Sequence, residues 1–327
     1  MLYVNVNIEM SIKQVGSSQE ETSYSDRLLM KAFKAARSIQ DLREITEAEG
    51  SRDAYLTAKE TWRELHRTVD ESTGREIKEG IPGREIDLGR TTYKIHGITH
   101  AGTREERDFL RRHVKKYIED GEKVYTEQGI RGMYFDDFDE VKEIDDYSWA
   151  SEKIERQRAG ELGFDAESEH VDSLKSRVMK KVFSAVSSGE KIYGGKIKHV
   201  LGNLASRFLM EPENLGTGEN FLSFTLHKEA SKNPGKLSVL QSHYEGTFLP
   251  QPVEREWLRN QSQELEIYTH SRNERIADYI INEAGDVWNK DQVIHVITGA
   301  AHQPGVLYYI DQYKHGFREP ETIDVSR

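Results

Sequence analysis

The stretch Ile95-His-Gly-Ile-Thr-His-Ala-Gly102 and its downstream echo Val296-Ile-Thr-Gly-Ala-Ala-His302 decide how the chain is read. Each is a short apolar run that ends in Gly-x-x-His and then leads into an amphipathic segment. A β-branched run of this kind suits a buried strand, and the Gly lets the backbone leave it sharply. Each His is thereby set at the carboxyl end of a strand, the edge at which open α/β sheets bind ligands. Two such ends in one chain predict two imidazoles facing one crevice.

Working outward, Arg84 to Gly97 reads as a hairpin turning at Leu88-Gly-Arg90, and its second arm leads to His100. Thr103 is a suitable N-cap, with Glu105 and Glu106 in the first turn, where negative charge is favoured. That helix continues to about Asp120 and stops at Gly121. Lys123-Val-Tyr-Thr-Glu127 is then a short strand, closed by Gln128-Gly129. Strand, helix and strand make a βαβ unit that delivers Glu127 to the same edge as His100. Near the other end, Pro252 to Glu266 and Thr269 to Glu283 read as helices, the second with Ser271 as N-cap and Gly285 close to its end. Gln292 to Thr298 is a buried strand that leads to His302, and Gly305 to Lys314 is a helix ending at Gly316.

The remainder is mostly helical. Ser25 to Glu49 and Ser51 to Val69 pair as an antiparallel hairpin across the Gly50 break. Leu2 to Ile8 alternates like an edge strand. Asp136 to Glu140 and Glu143 to Asp146 form an acidic run, in which Asp136, Asp137 and Asp139 read as a solvated turn because they lack the Gly and terminal Glu of a calcium loop. Periodicity leaves Lys236 to His243 open between strand and helix. The expected fold is α/β: a mixed sheet built from two related halves, each carrying a Gly-x-x-His strand end. Residues 1–80 form an N-terminal helical extension. Residues 81–327 form the α/β domain, with a mainly helical middle at about 135–265.

Composition limits the function. A net charge of -11 over 327 residues argues against a general nucleic-acid binder, which needs clustered Lys and Arg. The 31% charged content and mean hydropathy of -0.75 point to helices that are largely solvated. With no cysteine, thiolate metal sites and thiol nucleophiles are excluded. No window approaches the roughly 18 apolar residues of a membrane span, and the first residues lack the pattern of a signal peptide. A cytoplasmic protein that does not engage membranes is expected.

Neutral imidazoles bind divalent metal, and a carboxylate completes the shell or activates water. His100, Glu127 and His302 are therefore the expected metal set, against the plainer reading of loop histidines near a sheet edge. His96 reads as a core or edge residue, and His227, His243 and His270 are further ligand candidates. Nitrogen and oxygen donors suit manganese, cobalt or zinc.

Gly97-Ile-Thr-His-Ala-Gly102 after a hairpin, Glu127 after a short strand, Arg272-Asn273 opening a helix, and Val296 to Gly305 together resemble the TraB/PrgY/GumN/Tiki family. That family belongs to a wider group with erythromycin esterase-like and ChaN-like proteins. The resemblance covers residues 84–128 and 268–318. It implies one divalent metal on His100 and His302, with Glu127 as ligand or general base. Arg272 is implied as a catalytic residue that stabilises an oxyanion or fixes a substrate carboxylate. The implied activity is metal-dependent hydrolysis of a peptide or small molecule. The alternatives are a non-catalytic peptide- or cofactor-binding protein of the same fold, and an ester hydrolase. Arg275 is expected to be an ordinary helix-surface residue, and Tyr308-Tyr309 to pack the final helix.

Overall fold

The computed structural model describes residues 20–72, 80–161, 218–261, 263–285, 290–321 and 323. The Leu2–Ile8 strand and the helices expected between residues 162 and 217 lie outside the described residues. Strands β1 (Arg84–Leu88), β2 (Thr91–Ile98), β3 (Lys123–Thr126), β4 (Val141–Glu143) and β5 (Gln292–Gly299) form one mixed sheet in the order β1-β2-β5-β3-β4. Only β1 is antiparallel to its neighbour, so β2, β5, β3 and β4 all end on one edge. The protein is a mixed α/β fold. Parallel strands must be covered on both faces, and β5 meets that demand as the Val-Ile-His-Val-Ile-Thr run in the middle of the sheet.

The helices are α1 (Glu20–Ala35), α2 (Ile39–Thr46), α3 (Ser51–Ser72), α4 (Arg104–Glu119), α5 (Ile130–Tyr134), α6 (Asp146–Glu161), α7 (Gly218–Lys232), α8 (Leu237–Thr247), α9 (Gln251–Gln261), α10 (Gln263–Glu266), α11 (Arg272–Ala284) and α12 (Gln303–Lys314). One sheet face packs Tyr93, Ile95, Tyr125, Ile294 and Val296 against α11 and α12. The other packs Ile98, Val124 and Ile297 against α4 and α8. Helices α1 to α3 bury Phe33, Leu42, Tyr55 and Trp62 with Leu249 and Val253 at the start of α9. This layer is also pinned by charge. Lys59 Nζ lies 2.9 Å from Glu254 Oε1, with both side chains buried, and Glu254 also accepts from Tyr55 Oη and the Leu249 N–H. Among the described residues, no helix is long and apolar enough to cross a membrane.

The structure alters several local expectations and decides one that was open. The first helix breaks at Arg37-Ser38, because Ser38 and Asp41 form a reciprocal capping box that starts α2. The undecided Lys236–His243 segment is helical, its Leu237 and Leu240 facing the core. Ser271 does not cap a helix. The chain runs through α10 and a π turn at Ile267–Ser271 directly into α11, and the Ser271 hydroxyl donates to Glu266 instead. The final helix starts at Gln303, two residues early, with Pro304 in its first turn. The acidic run also holds a strand that its charges disguise, since Val141 and Ile144 are buried among the acids.

Within the sheet, His96 on β2 and His295 on β5 share the α4 face. His96 Nε2 lies 2.9 Å from His295 Nδ1, the Pro82 carbonyl lies 3.2 Å from His96 Nδ1, and Glu122 Oε2 lies 2.8 Å from His295 Nε2. Tyr117 stacks on His295. Two neutral rings bring two protons to three links, and the third is supplied when Glu122 is protonated. Burial raises the Glu122 pKa. Burial also pushes both imidazoles down to about 3.

Unfolded imidazoles titrate near about 6.5, so as pH falls through that value the unfolded chain takes up protons that the fold refuses. Stability should then fall between roughly pH 6.5 and pH 3, by up to about 1.4 kcal/mol per pH unit for each ring, with Glu122 offsetting part of the loss at the acid end. Denaturant midpoints at pH 7, 5.5 and 4.5 should show this slope, and His295→Gln should reduce it. Equal midpoints across the range would show that the rings are charged in the fold.

Candidate active site at the carboxyl edge of the sheet

Three neighbouring parallel strands each deliver one side chain to the same edge. β2 ends at Ile98, and His100 follows at φ 56°, a left-handed conformation that a non-glycine residue adopts only when its surroundings impose it. Fully buried Glu106 imposes it here. Its Oε1 accepts from the Thr99 N–H at 3.0 Å and the Thr99 hydroxyl at 2.6 Å, and its Oε2 accepts from Tyr134 Oη at 2.6 Å. The Gly102 N–H in turn donates to Tyr134 Oη, so the whole turn is laced down. Glu127 directly follows β3 and donates its N–H to the Ile297 carbonyl. β5 ends at Gly299, and a tight turn closed by the His302 N–H to the Gly299 carbonyl presents His302.

The sequence-predicted His100, Glu127 and His302 meet. His100 Nε2 is 3.5 Å from Glu127 Oε2, and His302 Nε2 is 3.6 Å from Glu127 Oε1. Arg272 joins them, with Nη2 2.5 Å from Glu127 Oε1 and Nε 2.7 Å from Asp146 Oδ2. The remaining Glu127 oxygen accepts from the Gly299 N–H at 2.7 Å. Burial would raise the Glu127 pKa, but the positive charge of Arg272 and His100 beside it holds it well below the usual carboxylate range, while His302 is neutral above about pH 4 and adds no such charge. Asp146 is pushed up to about 6, because burial and the Glu127 charge outweigh Arg272. The Arg272 guanidinium is thus held by two carboxylates while it still lines the cavity at the site.

The two imidazoles differ. His302 Nδ1 is 2.7 Å from Asn273 Oδ1, and Asn273 Nδ2 donates to Gln251 Oε1 at 2.9 Å. The amide is thereby oriented with its oxygen toward the ring, so neutral His302 carries its proton on Nδ1 and turns a lone pair on Nε2 toward Glu127. Burial brings His302 down to about 4. For His100 burial acts in the same direction, but the closer Glu127 charge prevails and raises it. Fixing one ring nitrogen by a hydrogen bond so that the other faces inward is how metal-binding histidines are commonly oriented.

Glycines make room for this packing. A Cβ at Gly299 would lie 2.7 Å from His100 Nε2 and 3.5 Å from Glu127 Oε2. A Cβ at Gly305 would overlap Asn273 Nδ2, and one at Gly97 would sit 2.8 Å from the Ala300 Cα. The site opens into a cavity of about 230 Å³ bordered by Tyr147, Gln128, His227 and Ala301. Of the other candidate histidines, His227 reaches this cavity, with its Nε2 2.8 Å from Tyr244 Oη. His270 is buried behind the site against Gln251, and His243 does not line the cavity. Arg275 is paired with Asp145 at 2.6 Å rather than standing free on a surface. Tyr308 and Tyr309 lie on α12 with their rings edge to face.

Sequence reasoning missed Asp146, Gln251 and the bracing role of Glu106. Asp146 had one readable signal, the apolar Val141 and Ile144 within the acidic run, which mark a strand whose carboxyl end falls just before it. Among the described residues, no group of three or more His, Asp or Glu side chains closes on one metal position. The two imidazoles address different oxygens of the same carboxylate. No protein-family model, curated protein or solved structure matches the chain.

Gly299→Ala should displace the His100 ring and destabilise the fold by about 1–3 kcal/mol, the usual cost of overpacking. Urea unfolding measures the stability, and the ¹⁵N shifts of the His100 ring report the displacement. Unchanged ring resonances would mean that the strand end has room to spare.

Proposed function

We propose that the protein is a metal-dependent hydrolase of the TraB/Tiki type, acting on a peptide or a small carbonyl compound. One observation carries this reading: the Nε2 lone pair of His302 faces the ionised Glu127 Oε1 across 3.6 Å. Two electron-rich atoms held in this way are relieved by a cation between them. Donor atoms about 2.1 Å from a tetrahedral ion lie roughly 3.4 Å apart, and the 3.5 and 3.6 Å separations at Glu127 are close to that spacing. Each imidazole–carboxylate pair thus has a spacing that suits a shared ion, and on this reading His100, His302 and Glu127 draw together on one divalent ion, with manganese, cobalt or zinc all compatible with nitrogen and oxygen ligands. On this reading the two strand–Gly-x-x-His turns are matching halves of one site, and a cytoplasmic setting agrees with the cysteine-free chain.

Such an ion supplies Lewis acidity toward a carbonyl and lowers the pKa of its water. The chain's own residues do the rest. Glu127, kept ionised by its cationic neighbours, accepts the proton of the attacking water. Arg272 holds that carboxylate in place, and Asp146 holds Arg272. Asn273 and Gln251 keep the His302 ring aligned. Tyr147 and His227 border the substrate side, where about 230 Å³ admits a scissile carbonyl with short flanks.

A second reading, a binding protein without turnover, is favoured by the engagement of both Glu127 oxygens with Arg272 and the Gly299 N–H. A carboxylate so satisfied is a weak base.

Metal analysis after zinc, manganese or cobalt loading should find about one ion per chain in the wild type and next to none in a His100→Ala/His302→Ala variant. Equal, negligible metal in both would remove the metal role. Glu127→Gln should keep the fold and lower hydrolysis of a peptide library by about 10²-fold or more, in the range for loss of general base catalysis. Fragments appearing at the wild-type rate would remove Glu127 from the chemistry, and a library left intact by the metal-loaded wild type would select the binding protein.

A further inference from the structure

A second and larger cavity, of about 870 Å³, lies away from the carboxyl edge, where α9 and α12 meet the α1–α2 junction. Its lining contains four arginines, Arg37, Arg255, Arg259 and Arg318, and one carboxylate, Glu256. In a chain of net charge -11 that concentration of guanidinium groups stands against the overall field.

The four play different parts. Arg255 and Arg318 form a fixed floor. Arg255 bonds Glu266, Glu274 and Tyr309 Oη at 2.6–2.7 Å, and Arg318 lies 2.7 Å from Glu274 and 2.8 Å from Asp278. Arg37 and Arg259 form the rim. The Arg37 Nη1 donates to the Lys34 and Ala36 carbonyls, which leaves Nε and Nη2 for a ligand. Arg259 comes only within 3.9 Å of Glu266, outside hydrogen-bond range, and is about half exposed. Glu256 accepts the Ile39 N–H at 2.8 Å at the start of α2, where the helix end offsets part of its charge. Two aromatic faces complete the lining. Tyr308 lies below the Arg37 guanidinium, and Phe317 is 71% exposed.

Planar guanidinium forks match phosphate oxygens bidentately, and exposed rings stack on flat heterocycles. The volume is within the range of small-molecule sites. We propose that this cavity binds a nucleotide, its phosphates on Arg37 and Arg259 and its base against the exposed ring of Phe317. The site is separate from the hydrolytic one and does not depend on that reading.

Calorimetric titration with ATP, inorganic tripolyphosphate and adenosine, in buffer containing a chelator, tests it. ATP should bind with a micromolar dissociation constant, and tripolyphosphate and adenosine each at least tenfold more weakly. Arg37→Glu/Arg259→Glu should weaken ATP by more than tenfold with the circular dichroism spectrum and thermal midpoint preserved. Arg37→Lys/Arg259→Lys, which keeps charge but loses the fork, should fall between. His100→Ala/His302→Ala should bind ATP like the wild type. The proposal is overturned if millimolar ATP gives no heat, if the charge-reversed variant binds equally well, or if tripolyphosphate binds as tightly as ATP. Loss of ATP binding in the His100/His302 variant would move the nucleotide to the carboxyl edge and overturn it likewise.

Discussion

A carboxylate buried among one guanidinium and two imidazoles is the constraint on which this molecule turns. Glu127 leaves water almost completely, and an unpaired buried charge is severely destabilising. Arg272, the Gly299 N–H and the two rings compensate it, brought together from three separate parts of the chain. Arg272 is in turn balanced by Asp146. The positions of three strand ends and one helix start are therefore specified together, since moving any of them strands a charge. Such arrangements are weak as sources of net stability and strong as sources of geometric definition, and here the definition coincides with the place where chemistry is proposed.

Around that centre further polar side chains brace the three residues. Glu106 and Tyr134 hold the turn that carries His100, and Asn273 with Gln251 sets the His302 tautomer. The π turn at Ile267–Ser271 brings Arg272 and Asn273 to the sheet edge without a fresh helix start. Wide turns of this type recur at functional positions because they rotate the following residues out of the regular helical register.

The central sheet was legible because its strands are written in β-branched residues and punctuated by Gly. Two Gly-x-x-His ends and the βαβ unit placed His100, Glu127 and His302 on one edge, and the structure puts them there. What stayed hidden was hidden for physical reasons. β4 is three residues long and lies among acids, so no period could announce it, and Asp146 was lost with it. Ser271 carries the composition of a cap, but its hydroxyl is drawn to Glu266 by a fold contact that no local pattern encodes. Glu106 looked like a first-turn charge, and its burial depends on Tyr134, 28 residues away. The lesson of these cases is that local patterns find elements, while the partners of buried polar groups are decided by topology.

The strand order has a consequence for how the chain is made. β5, at residues 292–299, is inserted between β2 and β3, which are synthesised some 170 to 200 residues earlier. Until it emerges, β2 and β3 each have a bare, unsatisfied edge, the kind of surface that pairs with other chains. Forms of the chain lacking residues 292–299 should therefore be sticky and dependent on chaperones, and arrival of the keystone strand closes the sheet and its pocket in a single event.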